Sequence, residues 1–457
     1  MDLIGLGMFI PLMPSYADRL GTTALVLGLI LGVYNLLQLV CAPLLGKWSD
    51  RVGRRPVLLI TQLGSAAGYL IFACGDPGVA QSLGYGAEVA LALLFLGRVI
   101  DGATGANIAI AQAAMSDLTS ARDRAAGLGL LGAAFGIGFV LGPAFTAALS
   151  LMATWLPAVV AAGFAALAAA LVWKYLPESH PALQANSHAA EPARSSPAQS
   201  PPRPADAPPS TPADEDFRDP APPPAPLRTT IPLLQGLRML GGNRQLRSTF
   251  AVQALNWLGF SAIHAVFLLM LKQRYGLEQS GIAWVLCMIG LVLAVTQGVL
   301  VRRLSGVWAE PRVITLGLAL LGAGVLLQPL AAPLWLALVA AAMCAAGQGF
   351  SNPNIASLVS KQAPTQLRAA ALGVSAGLAS AAQAIGQPLM GLLYDLDRAT
   401  LAHITISNGL LPFWAAGAFY AASFIILRAL PGTPEPAPAP GTHNRPTRNT
   451  APKPATA

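Results

Sequence analysis

Between two long apolar stretches, residues 46–59 read GKWSDRVGRRPVLL. Lys47, Arg51, Arg54 and Arg55 face a lone acid, Asp50, for a net charge of +3. The runs on either side, residues 23–46 and 56–75, hold no charge before Lys47 nor after Arg55 except at the motif itself. Each is about 20 residues, the length of helix that crosses a bilayer core. Two membrane helices joined by a short basic turn fit this pattern, and the rest of the chain repeats it.

The 457 residues are 54% hydrophobic and 11% charged, with mean hydropathy +0.57. A soluble domain carries roughly 25% charged residues. The apolar runs show no two-residue alternation and are rich in Leu, Ala and Gly, so helices are expected rather than barrel strands. Spans are expected at 2–18, 23–46, 56–75, 90–114, 124–149, 154–175, 247–271, 281–301, 312–331, 333–357, 367–393 and 409–428. The expected fold class is an all-α membrane protein of twelve transmembrane helices in two six-helix halves.

The expected units are an N-terminal bundle at 1–176, a linker at 177–245, a C-terminal bundle at 246–430 and a tail at 431–457. Linker and tail are too rich in Pro and polar residues to bury a core, so both are expected to be mostly disordered. Of the 28 Lys and Arg residues, only Arg19, Lys272, Arg274 and Arg398 fall in the joints on the side opposite residues 46–56, and Arg98 lies inside a span. The positive-inside rule then places the linker and both termini in the cytoplasm, with the chain in an inner membrane. The sequence pI near 9.6 is explained by these joints, without nucleic acid. Cys41, Cys74, Cys287 and Cys344 all sit in apolar runs without CxxC spacing and are expected to be buried thiols.

The halves resemble each other. SDLTSARDRAAGLG at 116–129 aligns without a gap on SKQAPTQLRAAALG at 360–373, and Arg19, Gly21 and Pro56 have counterparts in Arg274, Gly276 and Pro311. A duplicated six-span unit with its site between the halves is an architecture of secondary transporters.

These residues resemble the major facilitator superfamily, specifically its twelve-span drug:proton antiporters, and the tetracycline efflux antiporters most closely. Gly46, Asp50, Arg51, Gly53, Arg54, Arg55 and Pro56 are similar to the superfamily signature between spans 2 and 3. Arg98-x-x-Asp101-Gly102-x-x-Gly105 resembles the span-4 motif, with Asp101 where Gln is common. Gly132, Gly136, Gly138 and Gly142-Pro143 resemble the span-5 antiporter motif. Asp2-x-x-Gly5-x-Gly7 with Pro11 and Pro14 resembles the start of the tetracycline exporters. The likeness is strong over 1–145 and at superfamily level over 246–430.

The resemblance implies a cytoplasmic latch in which Asp50 pairs across the halves and releases as they rock. It also implies a span-5 gate that is kinked at Pro143 and packed closely through its glycines. Asp2 corresponds to an acid well inside span 1 of the family; residues 3–18 reach only about 24 Å of a roughly 30 Å core, so an upstream segment is expected, with Asp2 a second proton site. Span 3 carries Gly68 where those exporters carry an acid, and span 9 has none either. The resemblance implies that such acids help hold metal–tetracycline, so another amphipathic compound is the expected cargo.

A charge at the bilayer centre costs at least about 2.5 kcal/mol and is kept only with a partner or a wet cavity. Arg98 and Asp101 are three apart and face the same way on a helix. Arg98 is a fixed cation beside a carboxyl able to hold or release a proton, which suits proton antiport; a static brace is the alternative. The pair is expected to line a wet crevice shared by the halves. Asn35, Gln38, Asn107, Gln348 and Asn352 are candidate substrate contacts. So is the stripe Asn256, Trp257, Phe260 and His264, at helical spacing on span 7.

The expected function is therefore proton-coupled export of drug-like amphipathic molecules by a monomer, driven by the proton gradient with no cofactor or metal. An importer or metabolite exporter of the same superfamily, and a non-transporting sensor on the same fold, are the alternatives. No HExxH, clustered His or Cys ligands, or P-loop points to an enzyme or an ATP-driven pump.

Overall fold

The computed structural model describes residues 2–119, 124–178, 242–304, 307–364, 367–400 and 409–429. All regular structure among the described residues is helical. In the first half, α1 runs Asp2–Phe9 and continues through a 3-10 turn, Ile10–Leu12, into Met13–Arg19. Then follow α2 (Ala24–Val52), α3 (Arg54–Cys74), α4 (Ala87–Thr104, resuming as Asn107–Leu118), α5 (Arg124–Leu149) and α6 (Leu156–Tyr175).

In the second half, α7 begins as Arg244–Ala262, passes through a π-helical segment, Ile263–Phe267, and ends as Leu268–Tyr275. Next, α8 runs Gln279–Val295 through a second π segment, Thr296–Leu300, into Val301–Leu304. The last four are α9 (Glu310–Leu327), α10 (Leu334–Gln362), α11 (Arg368–Thr400) and α12 (Leu410–Arg428).

Among the described residues, ten of these helices are long and apolar enough to cross a membrane. The expected span at 2–18 is interrupted, because the 3-10 turn around Pro11 breaks α1 into short pieces. The expected span at 124–149 coincides with the helix α5, whose side chains are described only in part. Elsewhere helices outrun the expected spans: α2 extends through the basic stretch to Val52, where Lys47 and Arg51 suit its negative C-terminal end. Most of the expected linker and the whole expected tail lie outside the described residues.

The two halves fold with one local grammar. Gly21 (φ 61°) ends α1 and Gly276 (φ 67°) ends α7, both left-handed positions that only glycine takes without strain. In the first half a Cβ on Gly68 of α3 would lie 2.8 Å from the Gly97 carbonyl oxygen of α4. In the second a Cβ on Gly317 of α9 would lie 2.7 Å from that of Gly347 of α10. Glycines thus let the third and fourth helices of each half touch backbone to backbone.

Two seams join the halves, α2 on α11 and α5 on α8. On the first, a Cβ at Gly28 would meet the Gln387 carbonyl oxygen at 2.4 Å, and one at Gly391 the Ala24 carbonyl oxygen at 2.3 Å. On the second, Gly290 of α8 backs onto the Phe139 carbonyl of α5. Seven buried residues of α2 lie between Ala24 and Asn35, and none between Leu36 and Trp48. The bundles therefore close at the end of Ala24 and part toward the end carrying residues 46–56.

Of the four cysteines only Cys344 is buried; Cys74 is exposed and Cys41 and Cys287 are half-buried, a correction to the expected four buried thiols. Apolar sequence in a membrane helix does not say whether a side chain faces protein or lipid.

Candidate functional site

Within α4 the Arg98 guanidinium donates to the Asp101 carboxylate, Nη1 to Oδ2, at 2.8 Å. Close approach of α3 at Gly68, which leaves no room for a side chain beside Asp101, seats the carboxylate against the neighbouring helix. The Arg98 guanidinium lies over the rings of Tyr34 (4.3 Å to centroid) and Phe9 (5.5 Å), contacts that attract a cation to a ring face. Arg98 is 4% exposed and Asp101 3%, so the pair faces the interior of the first bundle rather than lipid. The expected open crevice is not what surrounds it. Phe9 and Tyr34 cover it, because an ion pair so deeply placed is stable only when aromatic and polar neighbours replace water.

The second half carries the same positions without charge. Gly97-Arg98-x-x-Asp101 has its counterpart in Gly347-Gln348-x-x-Ser351, at the matching glycine contact. Gln348 Oε1 accepts from Asn256 Nδ2 at 3.2 Å. Asn256 Oδ1, Gln348 Nε2, Ser351 Oγ and Trp257 Nε1 are buried without a hydrogen-bond partner. Trp257, Phe260 and His264 stack edge to face along α7, at 5.8 and 4.8 Å between centroids. His264 falls in the π-helical segment, a distortion that recurs at functional positions. Asn352 is half-buried one residue beyond Ser351.

Other expected contacts divide. Asn35 Nδ2 bonds Gln387 Oε1 of α11 at 3.1 Å, and Gln38 bonds the Gly105 carbonyl at 2.9 Å and accepts from Ser380 at 3.4 Å. Both thus hold the seam between bundles. Asn107, at the break in α4, is 4% exposed, and both ends of its amide lack a hydrogen-bond partner. Asp2 begins α1, and its side chain lies outside the described residues.

In α5, a Cβ on Gly142 would meet the Ile4 carbonyl oxygen at 2.7 Å, while the Gly138 carbonyl and Pro143 ring crowd Gly7 at 3.2 Å. A Cβ on Gly136 would lie 3.7 Å from the Ala294 side chain of α8. The motif therefore packs α5 against α1 within its own bundle and against α8 of the other. The Gly132 surroundings lie outside the described residues.

At the basic end the charges settle inside the first bundle. Asp50 pairs with Arg54, whose Nη1 donates to Ser49 Oγ at 2.7 Å and whose Nε donates to Asp117 at 3.1 Å. Gly53 (φ 111°) turns the chain into α3, where the Arg54 and Arg55 backbone N–H groups donate to Glu178 at 2.8 and 3.2 Å. Arg51 is exposed in the last turn of α2. Asp117 and Glu178 were not among the expected residues. Glu178→Ala removes a carboxylate from a helix N-terminus and is expected to lower stability by about 1 kcal/mol, read as a fall in Tm of the purified protein with transport retained.

One motif has the spacing of a hydrolase and none of its geometry. Gly373-Val-Ser375-Ala-Gly377 lies inside α11, not on a strand-to-helix turn.

A sequence profile of the Major Facilitator Superfamily matches residues 1–306 and 249–456. The class H tetracycline resistance protein of Pasteurella multocida is 25% identical over 431 residues, covering 93% of this chain and 92% of that protein. The class D tetracycline resistance protein of Salmonella ordonez is 38% identical over 165 residues, 35% of this chain and 39% of that protein's length. The solved structure of the human organic anion transporter MFSD10 (TETRAN) superposes with TM-score 0.62 at 23% identity, covering 93% of this chain and 96% of that one.

Proposed function

Because this chain belongs to the Major Facilitator Superfamily, we propose that it is a proton-coupled exporter of drug-like amphipathic molecules, working by alternating access. Transport, and not enzymatic chemistry, follows from the family itself. Export and proton coupling rest on one observation above the others: the buried Arg98–Asp101 pair, present in one half and replaced by neutral Gln348 and Ser351 in the other. A transporter needing only a braced fold has no reason to keep a charged couple in one bundle alone, given its cost. Proton uptake by Asp101 would free Arg98 to re-pair, and movement of Tyr34 and Phe9 would open the couple to the space between bundles.

The basic end, residues 46–56, is the cytoplasmic end in this proposal, with both termini and the linker at 177–245 on that side of an inner membrane. The two bundles span 1–176 and 246–430. Cargo would meet the Asn107 amide, the remaining amide ends of Asn256 (Oδ1) and Gln348 (Nε2), and the aromatic edge of Trp257, Phe260 and His264. Asp50 would form the latch of the opposite state; its pairing with Arg54 inside one bundle fits a released latch at a parted end.

A second reading is transport of an organic anion, the cargo class of the human transporter MFSD10, with Arg98 as its counter-charge. Everted vesicles energised with a proton gradient separate the two. Addition of amphipathic cations and neutral compounds is expected to dissipate the gradient in vesicles containing the protein. A response to carboxylates alone would favour the anion carrier, and an unchanged gradient across the whole panel would overturn coupled transport.

A further inference from the structure

At the end opposite the basic motif, two side chains of the second bundle reach the first: Lys272, which pairs with Asp18, and Asp395, which meets a helix start. Asp395, in the last turns of α11, accepts hydrogen bonds from the Ala24 backbone N–H (3.0 Å) and the Leu25 backbone N–H (2.8 Å). These are orphan donors at the start of α2, where Thr23 provides the local cap by accepting from Val26 N–H. The helix start thus receives an ionisable cap from a different bundle. Bonds from backbone N–H to a carboxylate at a helix N-terminus are charge-assisted and draw on the helix dipole.

We propose that Asp395 is a carboxylate clasp that holds the two bundles together at this end and must be released for the transporter to open there. The surroundings make it a hinge of choice. Gly28, Gly32 and Gly391 bring α2 and α11 into close contact beside it, and the other polar links of the seam, Asn35 to Gln387 and Gln38 to Ser380, lie farther along toward the basic end. When the bundles part, Ala24 and Leu25 N–H lose their acceptor to water.

Other charged groups on the packed elements are already committed. Lys272 of α7 pairs with Asp18 of α1 at 2.8 Å and touches the Pro14 carbonyl. Arg274 donates to the Pro329 carbonyl at 2.6 Å. On α11 itself Asp397 accepts from Gly409 and Leu410 N–H at 2.7 and 3.0 Å, and Arg398 is exposed. Arg19 is exposed at the end of α1, and the first turns of α2, α10 and α12 carry no charge. His403 lies outside the described residues.

The test uses the full chain without its four native cysteines, spin-labelled at Gln81→Cys and Ala332→Cys, two exposed sites at this end on opposite bundles. Asp395→Asn and Asp395→Ala are expected to raise the long-distance population relative to the short one by about tenfold, equivalent to about 1.4 kcal/mol. Asp18→Asn, which breaks a partly exposed pair, is expected to shift it far less. Unchanged distances in both Asp395 variants would overturn the proposal. The inference rests on alternating access but not on cargo or coupling. The readout contains no substrate, so its failure and that of the exporter proposal can be told apart.

Discussion

Replacing the α4 pair as a unit, Arg98→Met with Asp101→Leu, is expected to leave a folded protein that no longer exchanges protons for cargo. Both side chains are about as buried as core residues, at 5% and 4% exposure. Removing one partner of such a pair strands the other charge and costs about 3–5 kcal/mol, whereas exchanging both for apolar residues of similar volume is neutral or stabilises. Asp101→Asn alone therefore confounds lost coupling with lost stability, even though Tyr34 and Phe9 still attract the stranded guanidinium. The double variant separates them. Its yield and Tm should stay near the parent, while substrate-evoked gradient loss in vesicles falls to the level of vesicles without the protein. Parental exchange by the double variant would make the pair a brace and remove it from the proton path.

That pair could be found in the sequence because two charges inside a 20-residue apolar run contrast with everything around them. Its cover could not. Phe9 and Tyr34 are ordinary aromatic residues in apolar helices, and nothing in a single sequence fixes which face of α1 or α2 turns toward α4. The same limit explains Asn35 and Gln38. A polar residue within a span must find a partner, but a substrate and the neighbouring helix satisfy it equally well on paper; here Gln387, Gly105 and Ser380 are the partners. Asp117, Glu178 and Asp395 sit near helix ends, where a lone acid looks like a solvated charge until a distant backbone N–H is seen beside it. The spans themselves were legible from length and hydropathy alone, except where Pro11 broke α1. The neutral counterparts Gln348 and Ser351 emerge only from the matched contacts of Gly97 and Gly347, since the register of the Arg-Ala-Ala run near residue 368 would carry Arg98 onto Ala342.

Gly28→Leu is expected to hold the far end of the bundles apart and to stop transport while leaving the protein folded. A Cβ at Gly28 would lie 2.4 Å from the Gln387 carbonyl oxygen and 2.8 Å from Pro388 Cα, backbone atoms that cannot swing aside as a flexible side chain would. The only relief is separation of α2 from α11. Alternating access requires this seam to part in any case, so each bundle keeps its own core and yield should be preserved. Even Gly28→Ala should impair transport, although in an unobstructed helix the same change stabilises by roughly 0.5–1 kcal/mol. Gly373→Ala supplies that unobstructed case, since nothing lies within 4 Å of its Cβ position. It should transport at the parental rate. The spin-label distance across Gln81 and Ala332 should lengthen in Gly28→Leu and stay unchanged in Gly373→Ala. A Gly28→Leu protein that transports normally at the parental distance would mean that the close contact of α2 and α11 is no part of the working cycle, and the seam would lose its role as the gate.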